Sequence, residues 1–458
     1  MIYALLRGVA GLSLRWYYRE IEASGTDRIP DHGPVLLVVN HPNALVDALV
    51  VGWIVRRRIR ITAKSTLFVN PVGARLLTWV GVIPLRRSED EKRSRRTLDR
   101  RRNADAFAEI SEDFRRGAAV LIFPEGRTHD APKIAPLRTG AARVALAARD
   151  FGVRGLLVVP IGLTFDQKDQ LRSRVFAQVG DPIAMDEWTP AGSGSAARAL
   201  TSELSTRLRR VTLNYESLGE AERTAALAAT VTHLLEDGSA DPAARISSLA
   251  KETVVAHRIE ELRSQLEEGD PALRARGLAI AGALTRFRAK LRANGVRFED
   301  IGISRRPGAI VRFAVREAWI VAVAGPLAVW GELNHFIPFR AARAIAMRSV
   351  ESAADPAMRT IISGVAFVVL GYLAQGLAVG LLFGPVWAGA YLISLPISAD
   401  INFRLQDRLR AAWSRGHAYL TFRRQSGLQP ALESELTQLR AEALTFDRIA
   451  REHQSGSG

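Results

Sequence analysis

The sequence predicts an α/β domain with a central, mostly parallel sheet flanked by helices, followed by an all-α region with a transmembrane helical hairpin. Three observations lead there. Between residues 34 and 185, short apolar runs bounded by Gly or Pro alternate with longer amphipathic stretches, as strands and helices do in α/β domains. After about residue 216 the strand signal vanishes, and Ala, Leu, Glu and Arg recur at helical spacing. Residues 361–399 contain no Asp, Glu, Lys, Arg or His.

Residues 1–22 read as an interfacial amphipathic helix. Arg7, Arg15 and Arg19 interrupt the apolar residues, with Trp16, Tyr17 and Tyr18 beside them. That pattern suits the plane of a membrane surface and lacks the unbroken apolar core of a signal peptide. Strands are expected at 35–39, 60–63, 82–85, 118–123, 156–162 and 175–179. Helices are expected at 44–57, 71–80, 91–116, 139–149 and 195–213. These elements make up an α/β domain over 23–215. Residues 216–310 form a helical region, with boundaries at Asp241-Pro242 and Gly269-Asp270-Pro271.

A single helix over 361–399 would extend about 58 Å, nearly twice a hydrocarbon core of ~30 Å. The run therefore divides into two spans, breaking near 380–385. Arg340, Arg343, Arg348 and Arg359 precede it, and Arg404, Arg408 and Arg410 follow. A hairpin returns both flanks to one side, as the positive-inside rule prefers. The apolar stretch 318–331 is shorter, contains Pro326 and follows Arg305, Arg306, Arg312 and Arg316. A single crossing would put one basic cluster outside. A re-entrant or spanning segment at about 318–338 is therefore expected within a membrane region over 311–400. A helical segment over 401–452 and a disordered Ser/Gly-rich tail over 453–458 follow.

The chain has no cysteine, and its 63 Lys and Arg outnumber 47 Asp and Glu, a net charge of +16. The missing thiols exclude disulfides, zinc–thiolate and Fe–S sites and a cysteine nucleophile. The positive excess implies an anionic partner. Residues 1–215 carry 34 basic and 22 acidic residues, so the excess sits mainly on the α/β domain. No nucleic-acid module is recognisable, and no aromatics interleave the basic runs at 56–60 and 86–102. Anionic lipid or phosphorylated small molecules fit better than nucleic acid, which is not expected as a partner.

Four blocks in the α/β domain carry chemistry. Asn40-His41-Pro42-Asn43 and Asp47 follow one strand; Gly81-Val82-Ile83-Pro84-Leu85-Arg86-Arg87 spans another, with the two arginines after it. Phe123-Pro124-Glu125-Gly126-Arg127-Thr128-His129-Asp130 closes a third, and Val159-Pro160 lies in a fourth. A histidine at a strand's C-terminal end, before a helix, stands where α/β folds place function. A neutral imidazole accepts a hydroxyl proton near pH 7, and a carboxylate on its other nitrogen fixes the tautomer. Paired guanidiniums offer bidentate hydrogen bonds to phosphate. Five residues separate His41 from Asp47, and six steps at 100° turn the pair 240° apart on a continuous helix. Residues 41–43 must therefore be non-helical or bulged if the two meet, and Pro42 disfavours the α conformation at His41.

In order and spacing these blocks resemble the glycerolipid acyltransferase superfamily, the family of bacterial lysophosphatidate and glycerol-3-phosphate acyltransferases, over roughly residues 15–215. The five-residue spacing and Gly126-Arg127-Thr128-His129-Asp130 resemble the fungal-type glycerol-3-phosphate/dihydroxyacetone-phosphate acyltransferases and their bacterial relatives. The resemblance implies that His41 deprotonates an acceptor hydroxyl and that Asp47 orients His41. It implies that Arg86, Arg87, Glu125, Gly126 and Arg127 bind the acceptor, with the Glu125 carboxylate on its hydroxyls, and that Pro160 shapes the site near the acyl donor. Asn40, Thr128, His129 and Asp130 are accessory candidates; His129 and Asp130 either contact the acceptor or support their loop.

The expected function is membrane-bound transfer of a fatty acyl group to glycerol-3-phosphate or dihydroxyacetone phosphate in phospholipid biosynthesis. Acyl-CoA or acyl-ACP serves as co-substrate, with no cofactor and no metal. The alternatives are acylation of 1-acylglycerol-3-phosphate and a non-catalytic, lipid-binding membrane protein with a degenerate acyltransferase domain. Membrane lipids are expected partners. The expected location is the cell membrane, multi-pass, with the catalytic domain cytoplasmic.

Overall fold

The structure is a computed structural model that describes residues 2–64, 74–75, 78–79, 81–85, 100–190, 194–235, 248–268, 270–348 and 356–456. The chain divides into two compact units, one of residues 1–218 with 346–362 and one of residues 219–345 with 363–458.

The first unit opens with helix α1 (Ile2–Tyr17) and strand β1 (Tyr18–Ser24). Then come β2 (Val35–Val39), α2 (Ala44–Ile54), β3 (Ile59–Lys64), β4 (Ile83–Leu85), α3 (Arg100–Arg115) and β5 (Ala119–Ile122). Helix α4 (Gly140–Asp150), β6 (Leu157–Phe165), β7 (Ser173–Val179), the short β8 (Ile183–Ala184) and α5 (Ala196–Arg210) complete it. The sheet order is β1-β7-β6-β2-β5-β3-β4, with β8 beside β6. Neighbours are parallel except β6 with β7 and β6 with β8.

All five residues of β2 are buried, as a central strand covered on both faces requires. Leu36 and Val38 share a core with Val120, Val158, Ile110 and Phe114 of α3, the small residues of α4, and Leu200 and Leu204 of α5. Val35, Leu37 and Val39 are equally buried and lie on the opposite face by strand alternation. Pro160 stands inside β6, opposite Val38 of β2. On its other edge, β8 pairs with Leu157–Val158 and β7 only from Ile161. The missing N–H of Pro160 falls between the two partners, so no ladder bond is lost. Gly162 allows close approach: a Cβ there would overlap the Val211 carbonyl after α5.

The expected strands all form, with shifted ends. The N-terminal elements depart from the sequence reading. Helix α1 stops at Tyr17, and residues 18–22 of the expected interfacial helix continue as β1, an edge strand parallel to β7. The open edge of β7 supplies ladder bonds that outweigh local helical pattern there. Helix α1 also packs on its own unit: Leu14 and Tyr17 are buried, and the Arg7 guanidinium donates to the Val55 carbonyl at 2.8 Å. Of the expected helix at 71–80, residues 74–75 and 78–79 are helical; its remainder, and residues 91–99 of the next, lie outside the described residues.

The second unit contains α6 (Leu218–Leu235), α7 (Leu249–Glu268), α8 (Pro271–Ala293), α9 (Pro307–Arg348), α10 (Pro356–Phe383), α11 (Pro385–Arg424) and α12 (Leu428–Gly456), with the ends of α6, α9 and α10 that fall in the first unit excepted. The Asp270-Pro271 boundary is an N-cap: the Asp270 side chain accepts from the Ala272 N–H at 2.9 Å, with Pro271 in the first turn. Asp241-Pro242 lies outside the described residues. The core joins Phe287 and Leu291 of α8, Ala418 and Phe422 of α11, and Leu432 and Leu439 of α12.

The uncharged run breaks at Gly384, whose φ of +91° suits glycine. Helix α11 then continues past the expected boundary at residue 400, to Arg424. Helix α12 reaches Gly456, into the expected disordered tail, because extending a formed helix avoids the cost of nucleation. Among the described residues, Pro307–Ala344 and Thr360–Phe383 are long and apolar enough to cross a membrane.

Candidate active site

The site lies at the C-terminal ends of β2 and β5. Asn40 anchors the exit from β2. Its side-chain amide donates to the Leu163 carbonyl at 3.0 Å and accepts from the Leu163 N–H at 2.7 Å. A buried amide thus prolongs the β2–β6 ladder by one step, and His41 emerges into the turn beyond.

His41 and Asp47 come together. His41 Nδ1 is 2.9 Å from Asp47 Oδ2. A carboxylate only accepts, so Nδ1 carries the proton and Nε2 keeps its lone pair for a substrate. The imidazole stacks on Phe123 at 3.8 Å between centroids, which fixes its plane. The same Asp47 oxygen accepts from the Asn43 N–H at 2.8 Å.

The extra residue between the pair is absorbed before α2. Residues 41–43 are non-helical, and Ala44 takes φ +48°. A left-handed non-glycine residue costs about 1–2 kcal/mol, a strain the surrounding contacts hold in place. Asn43 donates its side-chain amide to the Tyr18 hydroxyl at 3.1 Å and to the Lys168 carbonyl at 3.3 Å. Lys168 donates to the Pro42 carbonyl at 3.3 Å and pairs with Asp130. The β6–β7 loop thereby ties the histidine turn to the Glu125 loop.

Glu125 joins the two motif blocks. Its Oε1 accepts from the His41 backbone N–H at 2.8 Å, and its Oε2 from the Ala135 N–H at 2.6 Å and from His129 Nε2. The Ala131 N–H donates to His129 Nδ1 at 3.2 Å, so His129 Nε2 carries the proton. The Glu125 side chain is 1% exposed. Its oxygens thus bind protein donors, where the sequence reading placed acceptor hydroxyls on them. His129 and Asp130 support their loop in this arrangement. Gly126 has φ +72°, the left-handed turn that glycine permits. Thr128 is half-buried, Arg127 is exposed, and Pro160 is buried in β6. Arg86 and Arg87 lie outside the described residues.

Tyr18, Asn43, Phe123 and Lys168 were missed as site residues. Asn43 before a helix carried an N-cap signal, but its side chain makes no cap bond. Tyr18 and Lys168 carried no local signal. Among the described residues, no group of three or more His, Asp and Glu is placed to hold a metal ion.

Burial pushes the Asp47 carboxyl above the ordinary carboxylate range, opposed by the His41 and Asn43 hydrogen bonds. The native state therefore holds this proton more tightly than the unfolded chain. Stability falls as pH rises from the unfolded value, near 4, through the raised native one. Asp47→Asn removes that penalty. Its Tm is expected above wild type at pH 8, the gap closing toward pH 4. Thermal unfolding across pH checks this, and a Tm well below wild type at pH 8 contradicts it.

The family model described as Acyltransferase matches residues 20–164. Glycerol-3-phosphate O-acyltransferase 2 of Saccharomyces cerevisiae is 35% identical over 86 residues, 18% of this chain and 11% of that protein. The chloroplastic 1-acyl-sn-glycerol-3-phosphate acyltransferase LPAT1 of Arabidopsis thaliana is 27% identical over 157 residues, 34% of this chain and 38% of that protein. The match thus spans between about a tenth and two fifths of these relatives' length. The crystal structure of the 1-acyl-sn-glycerophosphate acyltransferase PlsC from Thermotoga maritima is 18% identical with a TM-score of 0.33, covering 45% of this chain and 78% of that one.

Proposed function

We propose, from the premise that this chain carries an acyltransferase domain of the glycerolipid acyltransferase superfamily, that it transfers a fatty acyl group from a thioester donor to glycerol-3-phosphate or dihydroxyacetone phosphate at a membrane. The observation that carries this reading is the His41–Asp47 pair, 2.9 Å apart with Asp47 fully buried.

His41 Nε2 takes the proton of the acceptor hydroxyl as its oxygen attacks the thioester carbonyl. The buried Asp47 stabilises the imidazolium that forms. As the tetrahedral intermediate collapses, the C–S bond breaks and His41 returns the proton to the departing thiolate. The hydroxyl must sit about 3–3.5 Å from the carbonyl carbon, so holding the two substrates supplies much of the rate. Arg86, Arg87 and the exposed Arg127 would bind the acceptor phosphate, and Pro160 would border the donor side. The donor is acyl-CoA or acyl-ACP, and no cofactor enters this scheme. The apolar helices α9, α10 and the start of α11 would hold the enzyme in the cell membrane, its catalytic domain cytoplasmic.

The longer match, to a plant protein named as a 1-acyl-sn-glycerol-3-phosphate acyltransferase, favours a second reading in which lysophosphatidate is the acceptor. Purified chain supplied with acyl-CoA or acyl-ACP and each acceptor in turn separates them by product. Lysophosphatidate formed from glycerol-3-phosphate is the expected result; phosphatidate alone establishes the second reading. Acylation of none of these acceptors refutes both.

A further inference from the structure

Asp47 receives two donors on one oxygen. Its Oδ2 accepts from His41 Nδ1 at 2.9 Å and from the Asn43 backbone N–H at 2.8 Å. The place of that oxygen decides which imidazole nitrogen keeps its lone pair, so the Asn43 backbone takes part in setting the base. The same backbone leads into Ala44, whose φ of +48° an L residue adopts only at a cost. Two acceptors at this turn lack a donor among the described residues: Asp47 Oδ1 and Asn43 Oδ1 are buried without a hydrogen-bond partner. Strain and unmet acceptors persist only where the surroundings over-determine a turn, and they gather at functional sites.

Here the surroundings act on the Asn43 side chain, which is fully buried. The Lys168 carbonyl can only accept, so the Asn43 amide turns its Nδ2 toward it, at 3.3 Å. The same Nδ2 donates to the Tyr18 hydroxyl at 3.1 Å. The two acceptors differ in what stands behind them. Lys168 lies in the β6–β7 loop, whereas Tyr18 opens the sheet strand β1.

Tyr18 is firmly held. It is 1% exposed and pairs with Ser173 of β7. Its ring meets Tyr17 edge-on at 4.9 Å and Phe165 of β6 at 5.9 Å between centroids. Just before it, the Tyr17 carbonyl accepts from the Arg172 N–H at 2.6 Å. Burial raises the Tyr18 hydroxyl well above a phenol's ordinary range, so it stays neutral and available as an acceptor at any working pH.

We propose that Tyr18 is a positioning residue for the His41 base. It holds the Asn43 amide, Asn43 keeps the turn at 41–44 in its left-handed form, and that turn keeps both donors on Asp47 Oδ2. The edge strand β1 thereby serves the reaction, acting through Asn43 and Asp47 and not on the substrate. This rests on the reading of His41 as the general base. A role in packing alone predicts lost stability. A positioning role predicts a loss that passes through His41 and that a relaxed turn repairs.

Full-length Y18F keeps the ring and its packing and removes the hydroxyl oxygen. Its kcat for acyl transfer is expected to fall roughly 10–10²-fold, the cost of a small misplacement at the reacting groups, with KM unchanged. In the H41A background the same substitution is expected to cost nothing further, because Tyr18 acts through the imidazole. Y18F/A44G is the rescue: glycine takes the left-handed turn without help, so most of the lost kcat is expected to return. Wild-type kcat in Y18F, a full further loss on top of H41A, or no recovery in Y18F/A44G overturns the proposal. A second readout does not depend on turnover. By proton NMR, the His41 Nδ1–H resonance, identified by its absence from H41A, is expected to broaden or vanish in Y18F. If the wild-type chain acylates no acceptor, the proposed reaction falls and this resonance decides alone: its loss in Y18F upholds the hold of Tyr18 on the His41–Asp47 pair, and an unchanged signal overturns it.

Discussion

Under the proposed reaction, His41→Ala is expected to lower kcat/KM for acyl transfer about 10²-fold or more, the usual contribution of a positioned general base. The loss falls on kcat, because the imidazole acts on a proton and leaves the acceptor phosphate to other groups. Folding should survive. The His41 ring is only partly buried, and its contacts are the Asp47 hydrogen bond and the stack on Phe123. Near-UV circular dichroism separates lost chemistry from lost structure. A folded H41A chain with wild-type turnover would remove His41 from the reaction and favour the non-catalytic, lipid-binding alternative.

Glu125→Ala damages both stability and turnover. The side chain is all but inaccessible, and its two oxygens serve three protein donors: the His41 N–H, the Ala135 N–H and His129. Truncation leaves those donors without partners, at about 1–3 kcal/mol each. Urea denaturation should show a loss of at least about 3 kcal/mol. Glu125→Gln keeps the volume but sets an amide N–H₂ against backbone and imidazole donors, so it should fall between wild type and E125A. Activity of the folded fraction should drop as well, because the His41 backbone loses its anchor. A stability change below about 1 kcal/mol in E125A would show that these bonds do not hold the loop. Wild-type activity in E125Q would show that the anchor does not serve the reaction.

Parts of this arrangement were legible in the chain. The β-branched run of β2 marked a strand buried on both faces, and the lack of any charge over 361–399 marked two apolar helical stretches that break at Gly384. The rotation argument required a break between His41 and Asp47, and the structure places it before α2. It could not reveal that Ala44 takes the left-handed conformation, because alanine gives no such sign. Strand β1 stayed hidden for a similar reason. Tyr18–Ser24 is a strand because β7 offers an unpaired edge, and that edge comes from residues about 150 positions away.

The use of Glu125 was hidden too. The family resemblance implied that this carboxylate would hold acceptor hydroxyls. Which donors reach it depends on loops brought together from residues 41, 129 and 135. Lys168 carried no motif at all, yet it ties Pro42 to Asp130.

The sequence by itself determined the strand–helix alternation, the order of the four blocks, the His41 and Asp47 candidates that the structure pairs, and the long uncharged run. Each is a property of residue type and short-range period. The tertiary structure alone decided where the extra residue is absorbed, which donors occupy Glu125, and that residues 18–24 form an edge strand. These depend on hydrogen bonds and packing between segments far apart in the chain, and no local pattern encodes the partner that a distant segment will supply.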